Sequence, residues 1–425
     1  MLRHWFMSTL FCLPGVALAG TVNIAAEPGA LADALKTAEA GQVLRLGPGR
    51  HDGGLTLSVQ VALDCAPGAE IVGPGAGSVL TLDAPGIHVF GCTISGSGSS
   101  GQDIDSGIKL TENAQGGLIE GNHLVGNLYG IDIHGAENAV VKGNIIEGRS
   151  ASRMNDRGNG VHVWNAPGTV VTDNDISLGR DGIFVSSSTG NEFTNNRFHD
   201  LRFAVHYMYA HDSLVAGNVS AGNHLGFAVM YSDRVVLRDN LSLGDRDHGV
   251  MLNYTNESLI FGNRVEGGPE KCIFIYNAHK NRIEENWLQN CAFGIHFTAG
   301  SERNTITGNA FVANQTQVKY AGTKWVDWSE DGRGNYWSNY PAYDLDGDGI
   351  AEGQFRPNDA IDHILWTQPA ARLLLGSPAV QLVRWSQSAF PSLLPGGVVD
   401  NAPLMRPTET YSPLWETQLN EHPGN

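Results

Sequence analysis

Apolar residues recur along most of this chain in short alternating runs of four to six residues, separated by glycine and polar bends. Alternation with period two is typical of β-strands, and no helix-length segment interrupts the runs between residues 102 and 320. Successive units close on an asparagine every 22 or 23 residues, apart from one step of 30 that contains the extra residues 148–159. These asparagines are Asn122, Asn144, Asn174, Asn196, Asn218, Asn240, Asn263, Asn286 and Asn309.

A repeat of this length with several short strands per unit predicts stacked coils rather than a globular domain. We therefore expect an all-β fold, a right-handed parallel β-helix solenoid with one coil per repeat. Asparagines stacked at a bend can bond the neighbouring coils through their amides. The recurrent asparagine is accordingly expected to belong to the scaffold.

The two ends of the chain depart from the repeat. Residues 1–19 are typical of a secretory signal peptide, because a basic start and an apolar stretch end in Ala17-Leu18-Ala19. Residues 28–40 predict an amphipathic helix that would cover the open N-terminal end of the coils. The expected parts are the signal peptide (1–19), an N-terminal helical cap with early coils (20–95), regular coils (102–320), a C-terminal cap rich in aromatic residues and aspartate (321–369) and a docking tail (370–425) with helices at 370–375 and 379–390.

Charge and cysteine usage narrow the function. The formal net charge of -17 argues against nucleic acid and anionic membrane surfaces as partners. After residue 19 no apolar stretch is long enough to span a membrane. Four cysteines follow: Cys65, Cys92, Cys272 and Cys291. In an oxidising compartment either successive pair could form a disulfide, and buried thiols are the alternative that stays open.

One predicted exterior column has an unusual composition. We align the coils on the small residue that opens one strand, so that the second residue after it faces outward. His206, Met230 and Met251 would then stack on consecutive coils about 4.8 Å apart, with Met208 beside His206 on the same strand. The whole column would be Asp132, His162, Phe184, His206, Met230, Met251, Phe274, His296 and Lys319.

Thioether sulfur and imidazole nitrogen are ligands that suit Cu(I). We therefore predict a copper site, occupied transiently, at His206, Met208, Met230 and Met251. His162 and His296 are further candidates. A methionine-rich surface that contacts another protein is the alternative, and the spacing alone leaves it open.

Two other segments carry candidate chemistry. Residues 129–135 resemble the acid-bearing coil of β-helical alginate epimerases, but the expected proline and second aspartate are absent. Because no stacked carboxylates or Arg/Lys base are apparent, we expect no enzyme, with a polysaccharide lyase or epimerase as the lesser alternative. Asp344, Asp346 and Asp348 follow a calcium-loop pattern. Phe355 replaces its terminal glutamate, so a calcium site and a plain aspartate-rich turn both stay open.

Seven segments carry a further resemblance: residues 201–256, 268–277, 294–300, 331–338, 344–349, 395–400 and 403–407. Residues 331–338, the aspartate loop and the tail motifs are the most specific. Together the segments resemble the NosD family of periplasmic accessory proteins, over essentially the whole chain after residue 19. The resemblance implies a fold of the carbohydrate-binding and sugar-hydrolase β-helix superfamily.

The same resemblance implies a non-catalytic role in the maturation of nitrous-oxide reductase. The implied task is assembly of the copper centres of the apo-reductase, together with an ABC transporter permease and ATPase and a copper chaperone lipoprotein. The implied location is the periplasm, peripheral to the inner membrane through the transporter. The tail from residue 370 onward would then dock on the permease.

Overall fold

The structure is a computed structural model that describes residues 20–150, 153–268, 270–298, 300–320, 322, 324–390, 396–408 and 415. The predicted signal peptide, residues 1–19, lies outside the described residues. The predicted parallel β-helix is confirmed: three long parallel sheets run side by side, and each coil passes through sheet A, then sheet B, then sheet C. From Ala62–Cys65 to Thr316–Tyr320, each strand therefore pairs with the strand three places earlier in the chain, which lies one coil before it.

The strands are short because the chain turns a corner after each of them. Sheet A consists of Thr21–Ile24, Val43–Leu46, Ala62–Cys65, His88–Phe90, Leu118–Glu120, Val140–Lys142, Val170–Thr172, Glu192–Thr194, Leu214–Ala216, Val236–Arg238, Leu259–Phe261, Arg282–Glu284 and Thr305–Thr307. Sheet B consists of Gly49–Asp52, Ala69–Val72, Thr93–Ser95, His123–Val125, Ile145–Glu147, Asp175–Ser177, Arg197–His199, Val219–Ala221, Leu241–Leu243, Arg264–Glu266, Trp287–Gln289, Ala310–Val312 and Tyr336–Trp337. Sheet C consists of Leu55–Leu57, Leu80–Leu82, Ser106–Leu110, Tyr129–His134, Val161–Trp164, Asp181–Ser186, Phe203–Met208, Leu225–Met230, His248–Asn253, Lys271–Tyr276, Phe293–Phe297 and Thr316–Tyr320.

The interior of the coils is filled by one side chain of each alternating pair. Ile131, Val163 and Ile275 are fully buried, as are the large rings of Phe198 and Tyr207. Because successive strand residues point to opposite faces, the residues between these positions are left on the exterior. This alternation decides which side chains of sheet C face outward.

The recurrent asparagines form a continuous ladder at the corner between sheets A and B. From Asn122 to Asn309, the backbone N–H of each donates to the Oδ1 atom of the next asparagine at 2.9 to 3.0 Å. The side-chain Nδ2 of each donates to the same Oδ1 atom. Asn335 continues the ladder, and its backbone N–H donates to Asp400 Oδ2 at 2.7 Å. A carboxylate from the distant C-terminal segment therefore closes the ladder.

Both cysteine pairs form disulfides. Cys65 is joined to Cys92 with their Cα atoms 5.0 Å apart, and Cys272 to Cys291 with their Cα atoms 5.7 Å apart. Each bond links neighbouring coils. The question that the sequence left open is therefore resolved in favour of disulfides.

The ends of the solenoid are covered by different elements. Helix α1, Ala30–Lys36, lies within the segment predicted to be helical and buries Leu31. At the other end, the strands Trp325–Asp327 and Gly397–Val399 pair with each other. The aromatic rings of the C-terminal cap stack on the last coils, with Trp337 packed against Phe311 at a centroid distance of 4.2 Å.

Two further helices and two short 3₁₀ segments complete the described elements: α2 (Ala360–Thr367), α3 (Pro378–Ala389), and the 3₁₀ turns Met154–Asp156 and Pro369–Leu374. Helix α2 was not predicted from the sequence, although Asp359 and Asp362 form a capping box at its start. Among the described residues, no helix is long and apolar enough to cross a membrane.

Candidate copper site on the outer face of sheet C

Two columns of side chains run along the outer face of sheet C. We define the central column by direct strand pairing as Lys109, Asp132, His162, Phe184, His206, Ala228, Met251, Phe274, His296 and Lys319. The lateral column lies two residues further along each strand. It contains His134, Trp164, Ser186, Met208, Met230, Asn253 and Tyr276.

The predicted position of Met230 was wrong by one column. The prediction placed Met230 between His206 and Met251, but the structure pairs His206 with Ala228 and Ala228 with Met251. The alignment treated Ala228 as the small residue that opens the strand. Because Val205 pairs with Phe227, the residue in that position is Gly226. The coil is therefore shifted by two residues, which leaves Met230 on the exterior but moves it to the lateral column.

The corrected register gathers the four main candidates around one small side chain. Ala228 has His206 and Met251 as its neighbours on the adjacent strands, and Met230 two residues away on its own strand. Met208 pairs directly with Met230. Adjacent strands lie about 4.8 Å apart and alternate residues about 6.6 Å apart, so the four side chains surround the fully buried Ala228 methyl group. We refer to His206, Met208, Met230 and Met251 as the cradle.

His206 is held in a defined orientation. Its Nδ1 atom lies 3.1 Å from Asp181 Oδ2, and the rings of Phe184 and Phe203 pack edge-on against it, each at a centroid distance of 5.0 Å. Since a carboxylate only accepts, Nδ1 donates and the lone pair of the neutral ring is on Nε2. His206 is 7% exposed, and its Nε2 atom is buried without a hydrogen-bond partner among the described residues. A carboxylate behind a histidine whose other nitrogen is free is the arrangement that orients histidine ligands of metals.

Asp181 is itself fixed by an arginine. Arg202 donates two hydrogen bonds to the Asp181 carboxylate, at 2.8 Å and 2.6 Å. Burial alone would raise the pKa of Asp181, but the hydrogen bonds from His206 and Arg202 and their charges outweigh it and lower the pKa. Asp181 therefore stays ionised and keeps the His206 imidazole in place. Asp181 lies outside the two columns and was not predicted from the sequence.

His162 and His296 do not join the cradle. His162 pairs with Asp132 through Nδ1 at 2.7 Å, but the Phe184 ring lies between His162 and His206, at centroid distances of 5.5 Å and 5.0 Å. His296 lies three strands beyond Ala228 in the central column. The structure thus brings together four of the six predicted copper residues and separates the other two.

A row of stacked tyrosines borders the lateral column. The Tyr231 ring lies 5.0 Å from that of Tyr209 and 5.1 Å from that of Tyr254, and the planes are nearly parallel. All three have positive φ, between 51° and 53°, a conformation uncommon for bulky residues. Three consecutive coils therefore accept some backbone strain to present aromatic rings at the surface.

The aspartate loop has the shape of a turn with converging carboxylates. Asp344, Asp346 and Asp348 each place a carboxylate oxygen within 4.8 Å of the others. The Asp344 carboxylate also accepts hydrogen bonds from the N–H groups of Gly347 and Gly349, which lower its pKa. Phe355, which replaces the expected glutamate, packs on Trp337 in the cap.

The C-terminal helices leave apolar side chains in solvent, while Trp415 packs on the solenoid. Leu373 is 90% exposed, and Leu382 and Trp385 are also exposed. By contrast, Trp415 is buried on sheet B, where its Nε1 donates to the Asp239 carbonyl oxygen at 2.7 Å. Part of the predicted docking tail therefore contacts the protein's own coils.

These features define a parallel β-helix protein whose outer face carries a cluster of histidine and methionine. Two solved structures have similar folds. The A-module of the mannuronan C-5 epimerase AlgE6 of Azotobacter vinelandii has a TM-score of 0.56 at 14% identity, covering 69% of this chain and 90% of that one. PfbA, a surface adhesin of Streptococcus pneumoniae, has a TM-score of 0.54 at 12% identity, covering 73% and 88%. At such identities the likeness concerns the fold alone.

Sequence comparison gives the family. Residues 142–342 match the family described as periplasmic copper-binding protein (NosD). A Pseudomonas aeruginosa protein named "Probable ABC transporter binding protein NosD" is 40% identical over 374 residues, covering 85% of this chain and 87% of its own length. A Stutzerimonas stutzeri protein of the same name is 40% identical over 380 residues, with coverage of 86% and 87%. The chain belongs to the NosD family, so the resemblance inferred from its motifs is confirmed.

Proposed function

We propose that this protein handles Cu(I) transiently in the periplasm during assembly of the copper centres of nitrous-oxide reductase. Copper is cargo here, held by soft ligands and passed on. The family description supports copper binding, and the relatives' name supports association with an ABC transporter. The relatives are named as binding proteins, which agrees with a role other than catalysis.

The observation that carries the proposal is the free Nε2 atom of His206, oriented by Asp181 and bordered by three methionines around Ala228. One imidazole nitrogen and up to three thioether sulfurs form a ligand set that favours Cu(I) over magnesium, calcium or zinc. The Ala228 methyl group is fully buried among the side chains that would hold the metal ion. A larger side chain there would push these ligands apart while leaving every one of them in the chain.

The Ala228→Leu variant therefore tests the cradle without removing a ligand. We expect its Cu(I) affinity, measured by competition with a Cu(I) indicator, to fall at least about tenfold. The His206→Ala/Met230→Leu variant should show a loss of similar size. Ala216→Leu is the matched control, since Ala216 is a buried alanine between Thr194 and Arg238 on the outer face of sheet A. Unchanged affinity in both cradle variants would exclude the site.

The partners in this proposal are an ABC transporter permease and ATPase, a copper chaperone lipoprotein and apo-nitrous-oxide reductase. We assign contact with the permease to the exposed apolar side chains of the C-terminal helices, Leu373, Leu374, Leu382 and Trp385. This contact would keep the protein peripheral to the inner membrane. Calcium at Asp344, Asp346 and Asp348 is a separate, structural proposal.

A docking platform that never binds metal is the second candidate function. The row of Tyr209, Tyr231 and Tyr254 beside the methionines favours it, because Tyr209 and Tyr254 are exposed and because tyrosine and methionine are enriched in protein interfaces. Under this alternative, the cradle variants should weaken binding of apo-reductase, measured by surface plasmon resonance in a copper chelator. Their affinity for Cu(I) would then equal that of the parent protein.

A further inference from the structure

The last strands of sheet C carry a cluster of lysine, phenylalanine and histidine beyond the cradle. The His296 ring contacts Phe274 at a centroid distance of 5.0 Å and Phe293 at 6.1 Å. The Lys271 ammonium lies 5.0 Å from the centre of the Phe274 ring, and the Lys319 ammonium 5.0 Å from the centre of the Phe293 ring. His296 therefore lies between two aromatic rings, each covered by a lysine. We call these five residues the basic cluster.

The basic cluster is short of negative charge, although the chain as a whole is strongly acidic. Glu270 Oε1 lies 3.0 Å from Lys271 Nζ. Among the described residues, no carboxylate lies within 4.0 Å of Lys319 Nζ, and the buried Nδ1 atom of His296 has no hydrogen-bond partner. The chain thus brings cations together here without supplying enough acceptors.

The pKa values of His296 and Lys319 agree with burial among positive charges. Burial, followed by the charges of Lys319 and Lys271, lowers the pKa of His296 to about 4, while Glu270 opposes the effect and His248 adds to it slightly. Burial and Lys271 also lower the pKa of Lys319. Each group would hold its proton more firmly if a negative charge lay among them.

We propose that the basic cluster binds a small oxyanion, either free or presented as a carboxylate on a partner protein. The two ammonium groups and the imidazole supply donors, and the two phenylalanine rings hold the ammonium groups in place through cation–π contacts. The same positive charges disfavour Cu(I) at His296, so the site acts apart from the cradle. The proposal does not depend on copper binding.

Titration of His296 by NMR tests the site in the purified chain. Sulfate is the first probe, because it stays a dianion across the titration of His296. We expect saturating sulfate to raise the pKa of His296 by about one unit, since a nearby opposite charge favours the protonated ring. The His296→Gln variant identifies the resonance. The second probe, at neutral pH, is an N-acetylated diglutamate amide, followed by the shift of the same resonance.

Lys319→Ala should weaken binding of either probe at least about tenfold, because it removes the unpaired ammonium group. Lys280→Ala is the control, since Lys280 is an exposed lysine already paired with Glu257 at 2.7 Å; it should leave binding unchanged. A response to sulfate alone identifies a free oxyanion as the ligand, and a response to the peptide alone identifies a partner's carboxylate. No response to either probe, or equal responses in the Lys319→Ala variant and the parent, would overturn the proposal.

Discussion

The asparagine ladder and the central column follow the same coils but differ in how they use the repeat. In the ladder, one residue type occupies each of nine coils in turn, from Asn122 to Asn309, and every member makes the same bonds. In the central column, the residue changes at almost every coil, from Asp132 through Ala228 to Lys319. The difference teaches that uniform positions build this solenoid, whereas the varied positions are the ones that supply candidate ligands.

The largest effect is expected from breaking the ladder. In Asn218→Ala, the Asn196 amide groups would lose their acceptor and the Phe193 carbonyl oxygen would lose its donor, all of them buried. We expect the free energy of unfolding to fall by about 3 kcal/mol or more, as measured by urea denaturation.

The control for this variant is Asn23→Ala. Asn23 is exposed on the first strand of sheet A and belongs to no ladder. Its change should stay within about 0.5 kcal/mol. Equal effects at Asn218 and Asn23 would show that the ladder adds nothing to stability.

A second large effect concerns the buried carboxylate of Asp245. It accepts hydrogen bonds from Ser220, Ser242 and the backbone of Asn223, yet burial raises its pKa to about 6. Because the pKa of the folded state lies above the unfolded value of 3.8, ionisation costs stability as the pH rises through about 6, and no cost arises below pH 3.8. Asp245→Asn removes this cost.

We therefore expect the free energy of unfolding of Asp245→Asn to increase relative to that of the parent protein as the pH rises from 4 to 8. A shift from 3.8 to about 6 corresponds to about 3 kcal/mol. Unfolding by urea at several pH values measures this change. A difference that stays constant with pH would contradict it.

The two aspartate–histidine pairs on the outer face allow a narrower comparison. Asp181 orients His206 in the cradle, while Asp132 orients His162 behind Phe184. We expect Asp181→Asn to weaken Cu(I) binding about tenfold, because the carboxylate that fixes the imidazole is lost. Asp132→Asn should change Cu(I) affinity little. If both variants lost affinity equally, copper would have to be bound elsewhere or over a wider surface.

The smallest expected effect is at the aspartate loop, which lies outside the repeat. If Asp344, Asp346 and Asp348 bind calcium, free Ca²⁺ at about five times its Kd should add about 1 kcal/mol to stability, measured as a rise in Tm. Magnesium should act more weakly, since it needs a stricter geometry. The Asp346→Asn/Asp348→Asn variant should not respond. A Tm that ignores calcium in the parent protein would leave the loop as a plain turn.

The sequence was sufficient for the fold because the ladder marks each coil with an unambiguous residue. It was not sufficient for the outer face of sheet C, because the strands there were aligned only on the small residue that opens each of them. Gly226 and Ala228 both satisfy that criterion, and the second choice shifted one coil by two residues. The spacing of 22 residues from Ala204 points to Gly226, so the ladder spacing could have corrected the alignment.

The partners of the site residues were harder to predict for a different reason. Asp132 directly precedes His162 in the predicted column, so the repeat spacing already places that pair on adjacent coils. Asp181 lies outside the column, at the start of the strand that carries Phe184, and is therefore not aligned with His206 by the repeat. Only the contact between the two coils identifies Asp181 as the partner of His206.

The direction of the ladder has a consequence for how the chain is made. The backbone N–H of every ladder asparagine donates toward the following coil, and the series ends on the carboxylate of Asp400, which also accepts from the Trp337 indole. Coils can thus assemble one after another as the chain emerges, each offering open donors to its successor. The final donors find their acceptor only when residue 400 has arrived, so we expect a chain cut short before it to leave the growing end exposed.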